Sequence, residues 1–104
     1  MPDTRVVHVN DQNGYDVYIG RASPRKELKA SVWANPFKIG RDGTRDEVID
    51  QYRAYLQTRP DLLGRLEELR GKRLACWCAP EPCHGNVLAE LAENLEFDEE
   101  GDDR

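Results

Sequence analysis

Cys76, Cys78, Cys83 and His84 place three thiols and an imidazole within nine residues. A thiolate is both a nucleophile and a metal ligand, and an imidazole carries protons near neutral pH. Cys76 and Cys78 are two apart, so on a strand they share one face while Trp77 takes the other. Ala79-Pro80-Glu81-Pro82 then breaks the strand and returns the chain so that Cys83 and His84 fall at or just before a helix N-terminus. Free backbone N–H groups and the positive end of the helix dipole favour anions there and lower a thiol pKa. Cys83 is thus the expected reactive thiolate, with His84 as its proton carrier or orienting partner, the two forming the catalytic pair. The same helix start suits a phosphate, and Cys78, Gly85 and Asn86 are counted with the ligand-binding residues. Zinc at Cys76, Cys78, Cys83 and His84 is the alternative. Zinc sites usually join two separated ligand pairs, and adjacent Cys83 and His84 fit one ion awkwardly, so no metal set is assigned and the cofactor stays unknown. The plainest reading makes Cys76 and Cys78 small core residues.

A second group lies in a basic stretch. Gly20-Arg21 follows an apolar run and offers a close backbone approach with a cation, and Trp33-Ala34-Asn35-Pro36-Phe37 sets two rings around an Asn-Pro break. Such rings can stack on a base while Asn35 reads its edge. The competing role for Trp33 and Phe37 is to pin a long loop to the core. Lys38, Arg41 and Arg45 can grip phosphate, although such residues more often form a solvated face. Gly20, Arg21, Trp33, Asn35, Pro36, Phe37 and Lys38 are the expected ligand contacts in this stretch. His8, alternating with valines, reads as a satisfied strand residue.

These side chains need elements to hold them. Val6, Val7 and Val9, the Asn13-Gly14 turn and Val17-Tyr18-Ile19 predict a β-hairpin or two neighbouring strands. Residues 20–43 lack a period and read mostly as loop, with a short helical turn near 24–30. A loop of that length in a small domain tends to be functional. Thr44-Arg45-Asp46-Glu47 is a capping box, which starts a helix carrying Val48, Ile49, Tyr52, Tyr55 and Leu56. Arg59-Pro60 ends it, and Asp61 is the expected cap of a second helix with Leu62, Leu63, Leu66 and Leu69, stopped by Gly71. Leu74-Ala75-Cys76-Trp77-Cys78 is the apolar run of a strand buried on both faces. Val87, Leu88, Leu91 and Leu95 belong to a last helix starting near His84.

The chain has 104 residues, enough for one small core. Hydrophobic content is 38% against 34% charged, and no apolar run approaches the roughly 20 residues of a membrane span. No signal-peptide pattern follows Met1, and clustered cysteines are unlike a secreted disulfide framework, so reduced thiols and a cytoplasmic location are expected. The net charge of −5 resides in the acidic stretch from Glu96 to Arg104, expected to be a disordered tail. From Arg21 to Arg45, seven cations face only Glu27 and Asp42. That stretch can hold an anion.

Tyr18-Ile19-Gly20-Arg21, Trp33-Ala34-Asn35-Pro36-Phe37, Gly40 and Cys76-Trp77-Cys78-Ala79-Pro80-Glu81-Pro82-Cys83-His84-Gly85-Asn86 together resemble the small bacterial and phage proteins grouped as DUF4326, a domain of unknown function. The resemblance runs over roughly residues 5–93 and implies a small α/β domain without a settled activity. The cysteine block is also similar to a segment of DUF488, over about a dozen residues.

The expected architecture is a single α/β domain over residues 1–95, its buried central strand at residues 73–78 covered by about three helices. Ligands of such sheets sit beyond the carboxyl ends of the strands. If the strands before Gly20 and Cys78 are parallel neighbours, the three motifs meet in one pocket. The leading expectation is a small anionic, nucleotide- or nucleoside-like ligand, bound by a hydrolase or transferase that works through Cys83 and His84. A zinc-binding or ligand-sensing module without catalysis is one alternative. A single-stranded nucleic-acid-binding protein is the other. No membrane partner is expected.

Overall fold

A computed structural model of the chain describes residues 4–95. The acidic stretch 96–104 expected to be a disordered tail lies outside the described residues. Three strands, β1 (Arg5–His8), β2 (Val17–Tyr18) and β3 (Arg73–Cys76), form one sheet in the order β1-β3-β2. Both outer strands run parallel to β3, pairing Val6 and Val17 with Leu74, and Val7 and Tyr18 with Ala75. Leu74 and Ala75 are wholly buried, as an apolar run flanked by strands on both edges requires. The strand stops at Cys76, two residues before its expected end. Val9 and Ile19 donate to the carbonyls of Cys76 and Ala75, each at 3.0 Å, and these are the last rungs of the ladder among the described residues.

The hairpin expectation is overturned: β1 and β2 flank β3 and do not pair with each other. Their connection turns at Asp11–Gly14, where Gly14 adopts φ 78°, and then runs back to the start of β3. Arg73 holds it there. Its side chain donates to Gly14 O at 2.9 Å and to Asp11 Oδ1 at 3.0 Å, and its backbone N–H donates to Asp16 Oδ2 at 2.9 Å. The chain therefore re-enters the sheet in the direction of β1.

Helix α1 (Arg45–Gln57) begins at the predicted capping box, with Thr44 Oγ1 accepting from Glu47 N and Glu47 Oε1 accepting from Thr44 N. It buries Val48, Tyr52 and Leu56. The next segment is not the single Asp61-capped helix expected. Helix α2 (Pro60–Leu63) is one turn long with Arg59 at its N-cap, and Leu66–Leu69 is a 3-10 turn. Gly64 between them is a poor helix former, and the Asp61 carboxylate is engaged by Arg59 at 2.8 and 3.0 Å instead of capping. Leu62, Leu66 and Leu69 still reach the core.

Helix α3 (His84–Glu93) starts at Cys83 and packs against α1 and the sheet. The main core joins Ile19, Trp33, Tyr52, Leu56, Leu74 and Leu88, while Val7, Val9 and Ala75 form a smaller cluster. Residues 20–43 are mostly loop, with a 3-10 turn at Pro24–Lys26. Among the described residues no helix is long and apolar enough to cross a membrane.

Candidate functional site

Since β2 and β3 are parallel neighbours, the segments leaving their carboxyl ends run side by side, and a cavity of about 440 Å³ opens between them. Gly20, Arg21, Ala22 and Ser23 form the wall after β2. Cys76, Trp77 and Cys78 form the wall after β3, followed by Pro82, Cys83 and His84. The long loop contributes Asn35, Phe37, Lys38 and Ile39, and α1 contributes Arg45, Val48 and Ile49.

The thiols converge because three backbone features aim them at one point. Cys76 ends β3, and Cys78 follows in the bend. A turn closed by Glu81 N–H to Cys78 O at 2.8 Å reverses the chain, and Cys83 is the N-cap of α3. Asn86 fixes this cap by accepting from Cys83 N at 2.8 Å, while Gly85 N–H donates to Cys83 Sγ at 3.3 Å. The Cys76 and Cys83 sulfurs stand 3.1 Å apart, and all three sulfurs lie within 4.8 Å of one another. All three thiols are free.

Three sulfurs this close share one negative charge more readily than they carry three. The Cys78 thiol is drawn below its usual range by hydrogen bonding from Cys76 and Cys83 and by the nearby Arg45 guanidinium. Cys83, expected to be the thiolate, is pushed up by its hydrogen bonds to Cys76 and Cys78 and by burial, which outweigh the helix-start N–H. Cys76 is also raised, chiefly by Cys78.

His84 does not join the sulfurs. Its Nε2 lies 2.7 Å from Ile19 O, and its ring meets Tyr52 edge-on at 4.9 Å between centroids. A carbonyl can only accept, so Nε2 carries the hydrogen. Burial lowers the His84 pKa, against the pull of that carbonyl, so the ring is held neutral. The ligand set in which His84 was the fourth member reduces to three cysteines.

The remaining expected contacts divide. Gly20, Arg21, Asn35, Phe37, Lys38 and Cys78 line the cavity. A Cβ at Gly20 would stand 2.5 Å from Tyr18 Oη, so a side chain there would push the tyrosine ring aside. Asn35 is buried and spends much of its amide on the fold, donating to Val48 O at 3.2 Å and accepting from Phe37 N at 3.0 Å. Trp33 is in the core, its carbonyl accepting from Tyr52 Oη at 2.7 Å. Pro36, Gly85 and Asn86 also fall outside the lining. Pro36 O accepts from Arg41, Asn86 caps α3, and a Cβ at Gly85 would meet Ile19 Cδ1 at 2.7 Å.

Arg45 and Trp77 are among the lining residues outside the expected set of ligand contacts. Arg45, read from the sequence as a residue that can grip phosphate or form a solvated face, faces Cys78 and donates to Pro82 O at 2.9 Å. Trp77 was assigned to the opposite face of a strand that in fact ends one residue earlier. It stays 43% exposed, with Nε1 donating to Tyr18 Oη at 3.1 Å.

Among the described residues Arg21, Lys38 and Arg45 form no ion pair with a carboxylate, and no Asp or Glu lines the cavity. Asp42 feels the Lys38 charge but is held by Arg41 at 2.7 Å. The cavity is cationic, partly apolar and floored by thiols.

A family model described as "Domain of unknown function (DUF4326)" matches residues 5–94. The chain is 35% identical over 91 residues to an uncharacterised mimivirus protein, R718, covering 78% of this chain and 69% of that one. It is 32% identical over 72 residues to an uncharacterised 12.4 kDa protein from the nrdA-td intergenic region of phage T4, covering 64% of this chain and 65% of that one. The chain thus spans about two thirds of the length of these curated relatives. No solved structure matches.

Proposed function

The chain belongs to the DUF4326 family, and from the cavity it presents we propose that it binds a small nucleotide-like anion against the thiolate of Cys78. One observation carries the reading: Arg21, Lys38 and Arg45 line the same cavity with no lining carboxylate to neutralise them. Its volume of 440 Å³ falls in the usual range for small-molecule sites. Cations suit a phosphate, and Phe37, Ile39, Val48 and Trp77 offer the apolar surface that a base requires. A transfer or hydrolysis in this cavity would use Cys78 as nucleophile, since its neighbouring sulfurs and Arg45 lower its pKa.

Calorimetric titration of the full chain with adenosine monophosphate and with adenosine tests the reading. The phosphate should account for most of the affinity. Arg45→Ala should weaken nucleotide binding by about 10- to 100-fold, the worth of a charge-assisted hydrogen bond. Arg41→Ala should change little, because that guanidinium is already paired with Asp42 outside the cavity. Equal affinity for nucleotide and nucleoside, or none for either, would overturn the proposal.

A further inference from the structure

We propose that Cys76, Cys78 and Cys83 together hold one zinc-class ion as thiolates, leaving its fourth coordination position open to the cavity. This stands on the sulfur geometry and does not require the anionic-ligand reading; with the ion bound Cys78 is a ligand, so its role as a free thiolate belongs to the metal-free protein. At a zinc–sulfur distance of about 2.3 Å, tetrahedral geometry spaces the sulfurs about 3.8 Å apart. The trio lies near that spacing, with Cys76 and Cys83 at 3.1 Å and every pair within 4.8 Å.

The supports are rigid and independent. Cys76 sits in the sheet ladder, Cys78 in a turn closed by its own carbonyl, and Cys83 in a cap fixed by Asn86. Cys76 and Cys83 are buried, and as thiols their sulfurs are held by weak contacts to each other, to the Cys78 sulfur and to nearby backbone N–H groups. A thiophilic ion replaces those weak contacts with metal–sulfur bonds. Three thiolates and a divalent ion carry a net single negative charge, which Arg45 and the α3 N-terminus both offset.

The fourth ligand does not come from His84, whose Nε2 is committed to Ile19 O. All three cysteines line the cavity, so the free position faces the space where a small molecule enters. Three protein ligands with one open position is the pattern of a catalytic zinc site, whereas structural sites close with four. The ion there would act as a Lewis acid on a ligand oxygen, nitrogen or sulfur.

The test is titration of the reduced, chelator-stripped full chain with cobalt(II) under anaerobic conditions and without nucleotide. The expected result is saturation at one ion per chain, with thiolate-to-cobalt charge-transfer bands, intense visible bands of tetrahedral cobalt, and displacement of both by zinc. Cys78 is only partly buried, so Cys78→Ser should keep the native circular dichroism while losing at least about tenfold in cobalt affinity, no less than loss of an outer-shell partner costs. Absence of charge-transfer bands, saturation at one ion per two chains, or undiminished bands in Cys78→Ser would each overturn the proposal and leave the nucleotide result untouched.

Discussion

Cys78 is set apart from Cys76 and Cys83 less by its own exposure than by what its neighbours donate. Two sulfurs and a guanidinium direct positive potential at it, and it has no comparable duty in the fold, whereas Cys83 must cap a helix and Cys76 must end a strand. The thiol whose pKa is lowered therefore lies five residues before the position that helix-dipole reasoning selects. In metal-free, reduced protein, iodoacetamide should modify one thiol at about pH 6, well below the ordinary thiol pKa of about 8.5. Peptide mapping should place the label on Cys78. Label on Cys83, or no reaction until the pH approaches the ordinary value, would refute this ordering of the three.

Elements matter here mainly through where they begin. Both long helices start with reciprocal boxes, Thr44 with Glu47 and Cys83 with Asn86, and each start delivers a side chain to the cavity. The first brings Arg45, at the first position of α1, beside Cys78. Thr44→Ala removes the hydroxyl that accepts from Glu47 N at 3.2 Å and should cost about 1 kcal/mol. A urea midpoint lowered at constant m would show it. A midpoint unchanged from the wild type would mean that tertiary packing alone holds the start of α1.

At the scale of the whole molecule, His84 links stability to pH. Its ring is packed between the Ile19 carbonyl just past β2 and the Tyr52 ring of α1, in a core where a proton is costly. The folded pKa lies below the unfolded value of about 6.5, so the unfolded chain binds the extra proton first. Stability from the neutral ring is fully present above about pH 6.5 and is lost as the pH falls through the folded pKa, by up to about 1.4 kcal/mol per pH unit. Urea titrations between about pH 7 and 5 should show this slope, and His84→Gln should flatten it. A wild type whose stability is level across that window would contradict the assignment.

Much of this arrangement follows from local rules written in the chain. The buried strand at Leu74 and Ala75, the Thr44 capping box, the helix beginning at His84 and the gathering of cysteines all depend on residues close in sequence. Their patterns are short-range, so they can be read without coordinates. The order β1-β3-β2 could not be read this way, because Asn13-Gly14 signals a turn but not what the chain does after it. Arg73, distant in sequence, decides that by holding the connection at the start of β3. The cluster met the same limit. Spacing locates Cys76, Cys78, Cys83 and His84 together, but only the tertiary structure turns His84 onto Ile19 O, brings Arg45 from α1 and lowers the Cys78 pKa. Proton affinity and ligand geometry depend on neighbours supplied by other elements, and those neighbours exist only once the chain has folded.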